Sequence, residues 1–406
     1  MFTVHRGMVK VVIIDPIFRG SRLFYTQMVS TLGDEITILT RTDARTEASD
    51  EAFAGMEIEL REVVTTAKDS WYYHLDETQL SELEEGLRAV LDRGAPDLLF
   101  MAGLDELAVG IAGILRRLAP SLSGSSVFGV HYTPSVTARQ KIGPITIPVF
   151  LRRFLPAGRF SRLVREFVAL RAVLPSLRLG LLDERISTKV RPPELFMLLP
   201  DPPPPSPEPS ESLLDLARSE GGSPTLLLVG RQSQRKGFED IRGLIETRPE
   251  CLPAGTKIVL CGRLEKDTEQ HRSFIEASTP LILHADRYLS DTEIRARYET
   301  ADYVLLPYTT AFQGSSGVLA SAAAAGTPVI VSDHGLIAHR VRESGLGFTY
   351  PSGNIAALAD IFKQLPATHS QEYGEIRQRC LNFAERNSIT RFCDRLQMTI
   401  ESDYRE

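Results

Sequence analysis

Short apolar runs, each followed by a stretch of helical length, recur along this chain from Val9 to Ser332. The run from Val9 to Asp15 reads VKVVIID and the run from Leu98 to Met101 reads LLFM, with no polar alternation. Strands apolar at nearly every position are buried on both faces, and such strands belong to parallel sheets covered by helices. Strand–helix alternation repeated in this way predicts doubly wound parallel sheets.

The pattern breaks once. Pro200 to Pro209 reads PDPPPPSPEP. Proline removes a backbone donor and fixes φ, so the stretch reads as a stiff, extended linker between two cores. Before it we expect strands at Val9 to Asp15, Ile36 to Leu39, Glu57 to Val64, Leu98 to Met101 and Ser126 to Val130, the last ending at His131. Helices are expected at Ser21 to Leu32, Leu80 to Leu91 and Ala108 to Leu118. After it the pattern restarts, with strands at Thr225 to Val229, Lys257 to Cys261, Leu281 to His284, Tyr303 to Leu306 and Val329 to Ser332. The fold class is therefore α/β, two Rossmann-like doubly wound parallel-sheet domains facing a cleft.

A chain of 406 residues, 43% hydrophobic and 24% charged, is long enough for two such cores. A net charge of −6 argues against nucleic acid as a partner. No apolar run approaches bilayer length, and the first residues, MFTVHRGMVKVVIIDP, lack the long apolar region of a signal peptide. The four cysteines, Cys251, Cys261, Cys380 and Cys393, are scattered without metal-ligand spacing. They read as reduced thiols in a cytoplasmic protein with no metal site.

The loops at the carboxyl ends of the later strands carry the candidate site, because an open α/β sheet binds its ligand there. Gln313 to Ile330 reads QGSSGVLASAAAAGTPVI. Gly314, Ser315, Ser316, Gly317 and Val318 would leave backbone N–H groups uncovered at a helix N-terminus, a place to hold phosphate. The strand at Thr225 to Val229 ends in Gly230-Arg231-Gln232-Ser233-Gln234-Arg235-Lys236-Gly237. Arginine supplies a planar fork for diphosphate and lysine a compact charge, whereas the bland reading is a solvated basic turn. His284 to Tyr288 ends a further strand, and Arg287 and Tyr288 are candidates to hydrogen-bond and stack a base.

The second half resembles the C-terminal domain of GT-B fold glycosyltransferases of family 4, the retaining, nucleotide-sugar-dependent class (glycosyl transferases group 1). The resemblance rests on GRQSQRKG, DTEIRARYETADYVLLPY, AGTPVIVSDHG and GLGFTYPSGNIAALADIF, in that order, and covers Thr225 to Leu365. It implies that residues 1–199 form an acceptor-side domain, 200–212 a Pro-rich linker and 213–384 the nucleotide-sugar domain, and that 385–406 cross back to the first domain. It implies that Arg231 and Lys236 bind the donor diphosphate, with Gly230 in the same loop, and that Ser315 to Val318 cradle the distal phosphate. It places His131 facing the sugar and acceptor, and Gly20 beside the acceptor. No cofactor or metal is implied; a nucleoside-diphosphate sugar is the donor, and a glycan or lipid-linked molecule of polysaccharide biosynthesis the acceptor.

The chain departs from the family at its glutamate–x7–glutamate signature, where Gln313 and Ser321 stand. Gln313 keeps hydrogen bonding to a sugar without the charge. Ser321 offers one hydroxyl where a carboxylate would receive two ribose hydroxyls. A catalytically silent nucleotide-sugar-binding relative, or another GT-B enzyme such as an epimerase or phosphorylase, is the alternative. One further segment, Leu151 to Arg171, holds six arginines and one acid, with Phe160, Leu163, Val164 and Phe167 on one helical face. Such a helix is a candidate for peripheral contact with the inner membrane face; its bland reading is a core-packed helix with a solvated side.

Overall fold

A computed structural model describes residues 9–16, 21–42, 50, 53–65, 75–131, 159–187, 193–217, 224–279 and 281–403. The chain divides into two compact units, residues 1–200 with 389–406, and residues 201–388.

The first unit is built on seven parallel strands: β1 (Lys10–Ile14), β2 (Glu35–Arg41), β3 (Ile58–Val64), β4 (Leu98–Met101), β5 (Ser126–His131), β6 (Arg178–Leu181) and β7 (Phe196–Leu198). Their order is β3-β2-β1-β4-β5-β6-β7. Residues of β1 alternate between two cores, as the pleat requires. Val12 and Ile14 join Leu83 and Leu87 of α2 (Glu77–Leu91), Ile111 and Leu115 of α3 (Leu104–Leu118), and Phe167 and Leu170 of α4 (Arg159–Leu170). Val11 and Ile13 join Phe24 and Met28 of α1 (Ser21–Ser30) on the other face. The C-terminal helix α12 (Ile389–Asp403) completes that second core through Phe392 and Leu396. Strands β6 and β7 were not foreseen: Arg178 and Gly180 interrupt the apolar run of β6, and β7 has only three residues.

Helix α4 answers part of the Leu151 to Arg171 question. Residues 151–158 lie outside the described residues, as do the side chains of 159–163. Phe167 is buried in the core and Val164 packs against it, so these two apolar residues face protein. Arg165 is exposed, and Glu166 pairs with Arg116 at 3.2 Å.

The second unit has six parallel strands: β8 (Thr225–Val229), β9 (Lys257–Cys261), β10 (Ile282–Ala285), β11 (Tyr303–Leu306), β12 (Val329–Ser332) and β13 (Gly347–Tyr350). The order is β10-β9-β8-β11-β12-β13. Winding therefore reverses between β8 and β11, and the crevice at their carboxyl ends is the topological switch point. The helices are α5 (Glu211–Ala217), α6 (Phe238–Thr247), α7 (Asp291–Thr300), α8 (Gly317–Ala324), α9 (Gly335–Ser344), α10 (Ile355–Lys363) and α11 (Gln371–Arg386), with short helical turns between some of them. Helix α8 is nearly all small residues, which lets it lie close on β11 and β12, with Leu319, Ala322 and Ala323 in the core.

The proline segment is extended, but it is laid along the second unit. Asp201 pairs with Arg340 of α9 at 2.5 Å, both buried. Its backbone N–H donates to Asn387 Oδ1 at 3.2 Å. Farther along, Ser206 Oγ donates to the Asp291 carbonyl at 2.8 Å, and Arg295 donates to the Ser206 carbonyl at 2.8 Å.

Candidate active site

The loop after β8 is shaped by its glycines. Gly230 has φ of 103°, and a Cβ there would sit 3.4 Å from Lys236 Nζ, so the lysine folds back over it. Gly237 has φ of 71°, and a Cβ there would stand 1.7 Å from the Pro307 carbonyl oxygen. Only glycine allows that approach. The Thr309 N–H donates to the Arg235 carbonyl at 3.0 Å, so the loops after β8 and β11 are tied backbone to backbone.

Lys236 is half-buried. Its ammonium donates to the Tyr308 hydroxyl at 2.5 Å and lies 4.3 Å from the ring centroid. Tyr308 is buried, and Phe312 packs edge-on against it at 4.7 Å between centroids. Arg235 covers Phe312 at 5.1 Å. The Tyr308 hydroxyl reaches Ser316 Oγ at 3.4 Å. Ser316 is the N-cap of α8, yet its side chain makes no capping hydrogen bond. Gly317, Val318 and Leu319 have no intrahelical acceptors for their N–H groups, and among the described residues these groups donate to none elsewhere. Lysine, serine hydroxyl and helix N-terminus thus converge at the switch point, a donor-rich locus suited to phosphate.

Arg231 is held by Glu265 at 2.5 Å, at the carboxyl end of the neighbouring strand β9. A ligand phosphate there would share or displace a carboxylate. Arg287 is engaged differently. It donates to both carboxylate oxygens of Glu293, at 2.5 and 3.1 Å. Glu293 in turn accepts the Ser290 N–H and closes the capping box of α7. Hydrogen bonding from Arg287 first, and the Ser290 N–H next, lower the Glu293 carboxyl to about 2. Tyr288 is 64% exposed, with the Arg263 guanidinium 5.0 Å from its ring centroid.

Gln313 is half-buried, and its amide donates to the Thr310 carbonyl at 2.8 Å. Its own carbonyl accepts from Leu336 N–H at 3.2 Å, which sets the glutamine loop beside the N-terminus of α9. Ser321 is half-buried on α8, and burial pushes the Tyr298 phenol far above its usual range. Gly314 is buried, and Ser315 and Val318 are half-buried around the same helix start. His131 closes β5, with its side chain outside the described residues, and Gly20 lies outside them altogether. Among the described residues no group of three His, Cys, Asp or Glu is arranged to hold a metal. Burial lifts the Cys261 thiol to about 11 and the Cys380 thiol to about 12, so both stay protonated at neutral pH.

The structure thus brings together Gly230, Lys236 and Gly314 to Val318. It adds Tyr308, Phe312 and Glu265, which the sequence reading did not single out. Tyr308 and Lys236 are 72 positions apart, and no local pattern announces such a pair.

Two doubly wound parallel-sheet units in this order define the GT-B fold. Residues 223–367 match the family model described as Glycosyl transferases group 1. Glycogen synthase of Mycobacterium tuberculosis is 29% identical over 168 residues, covering 40% of this chain and 39% of that protein. The chain therefore spans about two fifths of the length of the curated relatives it matches. The crystal structure of HepE from Anabaena in complex with UDP superposes with a TM-score of 0.63 at 14% identity, over 97% of this chain and 100% of the other. That of WaaG, a glycosyltransferase involved in lipopolysaccharide biosynthesis, gives 0.57 at 16% identity, over 96% and 99%. At these identities the likeness carries the fold.

Proposed function

We propose that this chain is a retaining glycosyltransferase that moves a sugar from a nucleoside diphosphate to a hydroxyl acceptor, a glycan or glycolipid. The observation that carries the reading is the convergence of Lys236, Ser316 and the open N-terminus of α8 at the switch point. The match over residues 223–367 and the UDP-bound relative of the same fold support a nucleotide-sugar donor.

In this reading Arg231, Lys236 and the first turn of α8 hold the diphosphate and stabilise the charge it gains. The bond between the sugar and the diphosphate oxygen breaks, and the acceptor oxygen bonds to the same sugar face. The acceptor proton passes to the departing phosphate oxygen, so no protein nucleophile is needed. Gln313 orients sugar hydroxyls. Tyr288 and the backbone beside it receive the base, while Arg287 braces that loop through Glu293. Ser321 offers the ribose one hydroxyl, less than a carboxylate would.

A thermal-shift panel of UDP-, GDP- and ADP-sugars tests this, since a ligand at 100 times its dissociation constant adds about 2.7 kcal/mol. The anomeric proton coupling of the product reports retention. Donor binding without release of the diphosphate would favour the second reading, a silent nucleotide-sugar-binding relative. That reading is motivated by the neutral residues Gln313 and Ser321.

A further inference from the structure

The Tyr308 side chain is fixed more firmly than a loop residue needs to be. Its carbonyl accepts Ser332 Oγ at 2.6 Å and Ser352 Oγ at 3.4 Å, and its ring is locked against Phe312. Its hydroxyl therefore holds one position, between Lys236 Nζ and Ser316 Oγ.

The direction of the first of these hydrogen bonds follows from what each group can do. An ammonium only donates, so Lys236 must give a proton to the phenol oxygen. The phenol has one hydrogen of its own, and Ser316 Oγ, 3.4 Å away in a pair where either oxygen can donate, is within its reach as an acceptor. The serine oxygen then accepts, and its own hydrogen is left to point elsewhere. Ser316 sits at the start of α8, beside N–H groups without acceptors. Each donor in such a chain strengthens the next.

We propose that Tyr308 is a positioning residue for the diphosphate. It pins the Lys236 ammonium against the start of α8, and it turns the Ser316 hydroxyl into a donor aimed at the same phosphate. This rests on the reading of the site as one for nucleoside diphosphate. Packing alone would make the ring matter and the hydroxyl indifferent.

A double-mutant cycle read by calorimetry separates the two, with UDP, GDP and ADP as probes. Tyr308→Phe keeps the ring and removes only the hydroxyl. It should weaken diphosphate binding roughly tenfold in the wild-type background, and less than about twofold in a Lys236→Ala background, because coupled groups are not additive. Ser316→Ala should weaken binding by about threefold, and should add nothing to Tyr308→Phe. The serine variant also carries the test should Tyr308→Phe fail to fold. Equal weakening by Tyr308→Phe in both backgrounds, or none in either, overturns the proposal while leaving the nucleotide reading intact. A wild-type protein that binds none of the three diphosphates overturns both.

Discussion

Gly237 is the residue on which the geometry of the site most plainly turns. Its φ is left-handed, and the carbonyl of Pro307 occupies the space of any side chain. Gly237→Ala should therefore destabilise by on the order of 2–4 kcal/mol and abolish diphosphate binding, because the Lys236 turn must swing off the β11 loop. Gly374→Ala is the control. It lies in α11 with nothing within 4 Å of its Cβ, so it should raise stability by roughly 0.5–1 kcal/mol. Thermal melts and calorimetry on the two variants give both outcomes. Ser316→Pro should abolish binding by deleting a backbone donor at the start of α8, far beyond the few-fold cost of Ser316→Ala. Arg231, Lys236 and the Gly/Ser turn stood out in the sequence as candidates, because charge, glycine and strand-end position coincide in short stretches. Tyr308 was not, since its meaning comes from contacts with Lys236 and with Ser332 that only the folded sheet creates. Arg287 was read as a ligand for the base. The Ser290–Glu293 capping pair that engages its guanidinium is a local motif that was there to be found.

At the scale of elements, the loop beneath β10 depends on that carboxylate staying ionised. Its folded value, about 2, lies below the ordinary 4.5. Its stabilising effect is therefore complete above about pH 4.5 and is lost as pH falls toward 2. Glu59 on β3 behaves alike in the first unit, lowered to about 2 chiefly by its hydrogen bond from Arg93, against some desolvation, with Arg61 adding to the effect. Glu293→Gln should lower the melting temperature at pH 7. It should also flatten the fall in melting temperature with acidification relative to wild type, as thermal melts across about pH 5 to 3 would record. An unchanged slope would mean that the capping pair is too solvent-screened to matter. The uniformly apolar strands and the helices between them were legible in the sequence, whereas β6 and β13, which carry Arg or Gly, and the three-residue β7 were not. A strand such as Phe196–Leu198 follows two prolines and is too short to show a period; its pairing with β6 makes it a strand.

At the scale of the whole molecule, the division into two units was visible at the proline run, but what the prolines do was not. Composition predicts extension. The buried pair of Asp201 with Arg340 is what fastens the segment to the second unit. The last helix rejoins the first unit through Phe392, buried and 5.4 Å from the Tyr25 ring. Phe392→Ala should cost about 3–5 kcal/mol, measured on the unfolding transition of the first unit. No helix among the described residues is long and apolar enough to cross a membrane.

In the proposed reaction the loop after β8 and the start of α8 hold the leaving diphosphate. The measurement that tests this role most directly is the rate of nucleoside diphosphate release from the donor that the thermal-shift panel identifies, for wild type, Arg231→Ala and Lys236→Ala. Each variant should keep its melting temperature and lose on the order of 10² to 10³ in turnover, the usual cost of one well-aimed donor to a developing charge. Turnover near the wild-type rate in both variants would contradict this role.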